Sequence, residues 1–222
     1  ARKVLALAGE LLEAAVADLE LRNGGVAIRG APGLYVSLAE VAAAAAPGWQ
    51  HHRPDGMSPE LVETHYYEPP TVTWSYAANA AVVEVDRDTG VVRVMHYVEV
   101  HDAGVLVNPM LADGQIAGGI AQGLGGALYE AIVYDAAGQL ISGSLMDYAL
   151  PRATDMPPLT IAHIQTPSTL NPLGFKGLGE GGAIAPPVVI ANAVGDALRD
   201  SGHEFNHLPL HPETVLAAIR DT

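Results

Sequence analysis

The residues with the clearest chemical potential lie in the run Asn171-Pro172-Leu173-Gly174-Phe175-Lys176-Gly177-Leu178-Gly179-Glu180-Gly181-Gly182. Four of the seven residues from Lys176 to Gly182 are glycine, and Glu180 is the one carboxylate among them. A flexible linker would be flanked by Ser, Gln or Lys; here the flanks are Phe175, Leu178, Ile184, Val188, Val189 and Ile190. The pattern predicts a loop held against a core, with its backbone exposed at one spot. A carboxylate fixed in an apolar, backbone-lined pocket can act as a general base.

A second candidate lies in a small-residue stretch from Leu111 to Val133, read as a helix containing Gly114, Gly118, Gly119, Gly123, Gly125 and Gly126. Each helical glycine costs roughly 0.8–1.0 kcal/mol relative to Ala. The glycines therefore predict close backbone packing, or a ligand lying on the helix. Gln115, near its start, can offer an amide donor and acceptor to such a ligand, or sit as an ordinary surface glutamine. Just before it, Asp102-Ala103-Gly104 and Asn108-Pro109 carry the residue types of tight turns.

Several chemistries are excluded or weakened. Gly177-Leu178-Gly179-Glu180-Gly181-Gly182 formally matches the dinucleotide fingerprint, but Pro172 and Lys176 stand where a buried strand should precede it. The chain has no cysteine, so it offers no disulfide, thiolate metal site, iron–sulfur ligand or Cys nucleophile. Nine His invite a metal site, but His203 and His207, although spaced i, i+4, come after the helix-ending Gly202 and so lack the helix such a pair needs; His51, His52, His203 and His207 read as surface residues. The formal net charge of -14, from 11 Lys and Arg against 25 Asp and Glu, argues against nucleic acid and against an anionic membrane surface. The 111–133 helix carries Asp113, Gln115, Gln122 and Glu130 and too few bulky apolar residues to span a bilayer. No signal peptide is visible, and the expected location is cytoplasmic. A chain beginning at Ala1 is expected to be a fragment or processed product.

The elements that would position these groups follow from periodicity. Val4 to Leu19 repeats at helical spacing, predicting a helix over 3–19. Gly25–Gly30 reads as a strand, and Ser37-Leu38-Ala39-Glu40 as a capping box opening a helix that Pro47-Gly48 ends. Residues 48–70 read as an irregular surface excursion. Residues 71–86 and 91–102 form a long antiparallel hairpin around Asp88-Thr89-Gly90. Short strands near 140 and 159–165, a helix over 187–199 stopped by Gly202, and a final helix from Pro212 complete the chain. The fold expected is α+β: mixed layers with a long antiparallel hairpin, a Gly-rich buried helix and a C-terminal helix pair. One body spans 1–222, with a helical N-terminal piece over 1–47, a linker over 48–70 and a main body over 71–222.

The ordered co-occurrence of Asp102-Ala103-Gly104…Asn108-Pro109, Gly114-Gln115-Ile116-Ala117-Gly118-Gly119…Gln122-Gly123-Leu124-Gly125 and Lys176-Gly177-Leu178-Gly179-Glu180 resembles the molybdenum hydroxylases. That family includes xanthine dehydrogenase, aldehyde oxidase and the large subunit of aerobic carbon monoxide dehydrogenase. Asn108-Pro109-Met110-Leu111 and Asn171-Pro172-Leu173-Gly174-Phe175-Lys176 look most like the carbon monoxide dehydrogenase-like branch, although Ala103 stands where many of those have Cys. The likeness is to the C-terminal part of the molybdopterin-binding subunit. It implies an upstream molybdopterin-binding chain or domain, which would hold other pterin contacts, much of the substrate pocket and the copper-binding cysteine of true carbon monoxide dehydrogenases.

Carried over by position, the resemblance implies Glu180 as the catalytic glutamate. It implies Gln115, Gly177, Leu178 and Gly179 as contacts of the molybdopterin cofactor, in its cytosine dinucleotide form, with no metal ligand from this chain. The implied reaction is oxidation of an aldehyde, N-heterocycle or similar small substrate with water as oxygen source, Glu180 taking a proton at the metal centre. FAD and 2Fe–2S clusters are implied on partners, an FAD-binding subunit and an iron–sulfur subunit. The alternative is a non-catalytic fragment or structural subunit of such a complex.

Overall fold

The computed structural model describes residues 1–48 and 53–220 and divides into two compact units, Ala1–Tyr67 and Glu68–Thr222. Both mix helices with a sheet, as expected of an α+β chain. His51 and His52, read above as surface residues, lie outside the described residues.

The first unit contains α1 (Arg2–Leu12), β1 (Leu19–Arg22), β2 (Gly25–Ile28), β3 (Ala31–Ser37) and α2 (Leu38–Ala45). The expected helix over 3–19 stops seven residues early, and the N-terminal piece is not simply helical. Glu13 adopts a left-handed conformation (φ 49°) and its N–H closes the helix on Glu10 and Gly9 carbonyls. The apolar repeat continues past this point because Leu19 belongs to the same core, now as the first residue of a strand paired with Ile28. The backbone of this segment is paired in the antiparallel sheet β1–β2–β3. The capping box is present: Glu40 N–H donates to Ser37 Oγ at 3.1 Å and Ser37 N–H to Glu40 Oε2 at 2.9 Å.

The second unit carries the site. β4 (Tyr76–Val85) and β5 (Val92–Asp102) form the expected hairpin, and β6 (Leu159–His163) adds to β5 in parallel. Asp86 organises the hairpin turn by accepting from Asp88 and Thr89 N–H groups. α3 (Pro109–Leu128) packs against α4 (Gly181–Ile184) and α5 (Pro186–Ala197); α5 lies on β4, and α6 (Pro212–Arg220) closes the chain. Leu124, Leu128, Ile190, Val194, Leu198, Leu210 and Val215 form one buried cluster, and Tyr97, Ile116 and Ile120 a second.

α3 begins where Asn108 accepts from Leu111 N–H, with Pro109 at its first position. It ends at Leu128 rather than running to Val133. Leu210 N–H takes the Ala127 carbonyl at 2.7 Å and His211 Nε2 lies 3.1 Å from the Tyr129 carbonyl, so the terminal acceptors are used by another segment. Among the described residues no helix is long and apolar enough to cross a membrane.

Candidate active site

The glycine-rich loop is stitched to the end of β5. After Asp102 the chain turns through Gly104 (φ 67°), whose N–H donates to Asp102 Oδ1 at 2.8 Å. Gly104 forms an antiparallel bridge with Phe175; Val105 N–H donates to Gly174 O and Lys176 N–H to Ala103 O, both at 3.0 Å. A Cβ on Gly104 would lie 2.1 Å from the Gly174 carbonyl oxygen, so no other residue permits this approach. Asn171 braces the other side, accepting from Phe175 N–H at 3.0 Å and donating to Phe175 O at 2.9 Å.

Asp102 is the clamp. It is 1% exposed and accepts from Gly104 N–H, Thr166 N–H, Thr166 Oγ1 and the Lys176 ammonium, the last at 3.1 Å. Burial works to raise its pKa, but the bonds from Thr166, Gly104 and Lys176 outweigh burial and hold the carboxyl well below the usual carboxylate range. Lys176 also donates to Thr166 Oγ1 and lies over the Tyr76 ring, 4.5 Å from its centroid. The turn chemistry seen in sequence at 102–104 therefore anchors the loop that follows Lys176.

Beyond Lys176 the loop presents its backbone. Gly177 N–H donates to Thr73 O at 3.0 Å, and Leu178 is half-buried against the Tyr97–Ile116–Ile120 cluster. Gly177, Gly179 and Glu180 are exposed. Glu180 is thus not enclosed in an apolar pocket within this chain. Of the flanks expected to hold the loop, Ile190 is buried and Phe175, Leu178 and Val189 are half-buried, while Ile184 and Val188 face outward at 72% and 61% exposure. The physical reason is that α4 is one turn long and rests on α3 through glycine, so its outer side has no covering element here.

The structure brings Gln115 to the loop: its Nε2 donates to the Gly179 carbonyl at 2.6 Å, one residue before Glu180. One such bond leaves the amide its second N–H and its carbonyl for another partner. The contact depends on backbone approach between α3 and α4. A Cβ on Gly182 would lie 2.3 Å from Ile116 O, and one on Gly119 2.8 Å from Gly182 C and Cα. Gly114, Gly118 and Gly179 are the opposite case: built Cβ atoms there meet nothing within 4 Å. Gly114 and Gly118 are one turn apart and leave a bare backbone face on α3 next to Gln115 in sequence, whose amide reaches the residue before Glu180. Such a face accepts a large flat group in close contact, with N–H and amide donors at its edge.

Sequence reasoning missed a buried pair behind the loop. On β5, Tyr97, Glu99 and His101 share one face and are 0%, 0% and 1% exposed. His101 Nδ1 donates to Glu99 Oε1 at 2.8 Å, and Tyr97 Oη donates to Asn79 Oδ1 at 3.0 Å. Burial, with Glu99 adding to it, pushes the Tyr97 phenol well above its usual pKa. The available signal was the period-two placement of two ionisable residues in a strand whose other face carries Val98 and Val100. His203 and His207 are exposed, and among the described residues no group of three His, Asp or Glu is arranged to hold a metal.

A bare backbone face on α3, an amide that reaches the loop and a carboxylate one residue beyond that contact are groups that could hold a flat cofactor and serve it with a base. Comparison with known proteins supplies the family. The model for the molybdopterin cofactor-binding domain matches residues 1–157, a span that includes Gln115 but not Glu180. The chain belongs to that family. It is 39% identical over 220 residues to the nicotine 6-hydroxylase large subunit of Paenarthrobacter nicotinovorans, covering 99% of this chain and 27% of the relative. It is 34% identical over 227 residues to the carbon monoxide dehydrogenase large chain of Hydrogenophaga pseudoflava, covering 100% of this chain and 28% of that one. The crystal structure of quinoline 2-oxidoreductase from Pseudomonas putida 86 superposes with a TM-score of 0.89 at 39% identity, over 99% of this chain and 28% of that one. The chain thus spans about a quarter of the length of the relatives it matches.

Proposed function

We propose that this chain forms part of a molybdopterin-dependent hydroxylase or dehydrogenase that oxidises a small substrate with water as oxygen source. It works only with the remainder of its subunit. The observation that carries the reading is the Gln115–Gly179 hydrogen bond, which ties the bare glycine face of α3 to the residue preceding Glu180. The residues present fit the cofactor: Gly114, Gly118 and Gly179 leave room for close approach, and Gln115 has spare donor and acceptor capacity. When bound, the molybdenum centre supplies the two-electron redox chemistry.

This chain's residues then have distinct tasks. Gln115 binds and orients the pterin while holding Gly179. Leu178 anchors the loop in the apolar cluster, so that the Gly177 and Gly179 backbone faces the cofactor. Glu180 takes the proton, its backbone fixed between Gly179 and α4. Its exposure in this chain is what a base requires if the rest of the subunit supplies the opposite wall of the site. The cofactor is proposed to be the cytosine dinucleotide form, with FAD and 2Fe–2S clusters on partner subunits and a cytoplasmic location. Nicotine and quinoline, in the names of two relatives, are N-heterocycles, which supports that part of the substrate range over aldehydes.

The test is Glu180→Gln in the complete, cofactor-loaded enzyme. Turnover should be lost while molybdenum content by metal analysis stays at the wild-type level. Near-normal turnover removes Glu180 as the base. A complex that lacks molybdenum even with native Glu180 favours the non-catalytic alternative.

A further inference from the structure

Two ionisable side chains buried together on a strand are expensive to keep. Unpartnered polar atoms in such a place call for a reason. Glu99 and His101 are both essentially inaccessible, and two of their atoms, Glu99 Oε2 and His101 Nε2, have no partner among the described residues. An apolar pair would stabilise β5 at lower cost, so stability alone does not explain them.

Their position does. The His101 imidazole lies directly under Gly181, where a built Cβ would come 2.4 Å from Cε1 and 2.9 Å from Nε2. Gly181 follows Glu180 and opens α4. The backbone around Glu180 is therefore held at three points. Gln115 fixes Gly179 before it, the His101 ring supports Gly181 after it, and Ile116 meets Gly182 one residue further on. Of these, only the His101 support is itself set by a second buried side chain, Glu99, whose carboxylate fixes the ring orientation through Nδ1.

We propose that His101, oriented by Glu99, is a positioning residue for Glu180: its ring is the wall on which the Glu180–Gly181 backbone rests. The proposal depends on Glu180 being the base only in its kinetic consequence; the mechanical coupling of His101 to the loop does not. Removing the ring leaves a cavity beneath Gly181 and frees the loop to shift. Displacements of about 1 Å at a reacting group can cost about 100-fold in rate.

The experiment compares His101→Ala, Glu99→Gln and native enzyme as complete cofactor-loaded holoenzymes. For His101→Ala, kcat should fall about 100-fold with little change in KM and unchanged molybdenum content. Amide exchange across residues 177–184 should rise at least about tenfold while that of α5 does not. Glu99→Gln, which keeps an acceptor for Nδ1, should retain most of both native properties. If His101→Ala does not assemble, Gly181→Ala tests the same contact from the other side, and loop exchange should again rise. Native exchange in 177–184 in either variant overturns the proposal, as does an exchange increase that spreads equally through α5. Glu180→Gln reports separately on the proposed function, because an active Glu180→Gln enzyme with a His101-dependent loop would remove the base and keep the support.

Discussion

Gly118 and Gly119 are neighbours on α3 with opposite surroundings, and replacing each by Ala separates helix propensity from packing. Either substitution should gain roughly 0.8–1.0 kcal/mol from lower unfolded-state entropy and better helix formation. At Gly118 nothing lies within 4 Å of the new Cβ, so the gain stands. The melting temperature should rise by about 2–4 °C, the shift expected per kcal/mol for a chain of this size. At Gly119 the Cβ would meet Gly182 C and Cα at 2.8 Å and Ala183 N at 2.9 Å. These are backbone atoms, and they cannot rotate away as a side chain could. Overpacking of about 1–3 kcal/mol is therefore expected near its upper end, leaving Gly119→Ala about 2 kcal/mol less stable than native after the propensity gain. Urea unfolding of the chain, with hydrogen exchange read across α3 and α4, measures the difference. Equal effects of the two substitutions would refute the claim that α4 is seated backbone-to-backbone on α3. In the loaded enzyme the ranking should reverse for one property. Gly118→Ala, the more stable protein, places a methyl group on the proposed cofactor face and should lower molybdenum retention. Undiminished retention would show that this face is not the cradle.

Other expectations follow from the clamp and the cap. Asp102→Asn leaves the Lys176 ammonium without its carboxylate in a buried site and should destabilise by about 3–5 kcal/mol, measured by urea unfolding at neutral pH. Because the folded Asp102 carboxyl lies below its unfolded value, its contribution is fully present above about pH 3.9 and is lost as pH falls below that toward the folded pKa. The Asn variant should therefore lose part of the acid-side slope of stability against pH, and an unchanged slope would assign acid sensitivity elsewhere. Ser37→Ala removes the acceptor for Glu40 N–H and should cost about 0.5–2 kcal/mol, seen as faster exchange confined to α2.

What was legible in the sequence is what local chemistry decides. The capping box at Ser37 and the hairpin turn around Asp88-Thr89-Gly90 are short-range patterns, and each forms as its residues dictate; Asn108-Pro109, read as turn residues, instead cap and open α3 two residues before the expected start. The overrun of α1 to residue 19 shows the limit. Leu19 is core in either conformation, and only its pairing with Ile28, decided by chain beyond the turn at Asn23-Gly24, makes it a strand residue. The site divides in the same way. The exposed backbone of Gly177–Gly179 could be read from glycine density, whereas the Gln115–Gly179 bond spans 64 residues and has no local signal. The sequence offered Gln115 as an amide for a ligand and, by family resemblance, as a cofactor contact, but not its bond to the loop. The apolar residues around Glu180 suggested an enclosed pocket, but Ile184 and Val188 are exposed, so hydrophobic flanks recorded surface area and not which chain covers it.

β5 shows why the remaining part was hidden. Alternation in a strand is ordinarily read with the apolar residues inward, and Val98 and Val100 invite that reading. The structure inverts it: those two are half-buried, and Tyr97, Glu99 and His101 are sealed in. The inverted face is the one that meets the glycine-rich loop, where Gly181 sits on the His101 ring with no room for a Cβ. A polar strand face that is more buried than its apolar face conflicts with local rules, and such conflicts are expected where function constrains the fold. Gly181 and His101 therefore need each other. The glycine permits the approach, the ring limits where Glu180 can go, and substituting either should disturb the same loop and leave the hairpin that carries His101 in place.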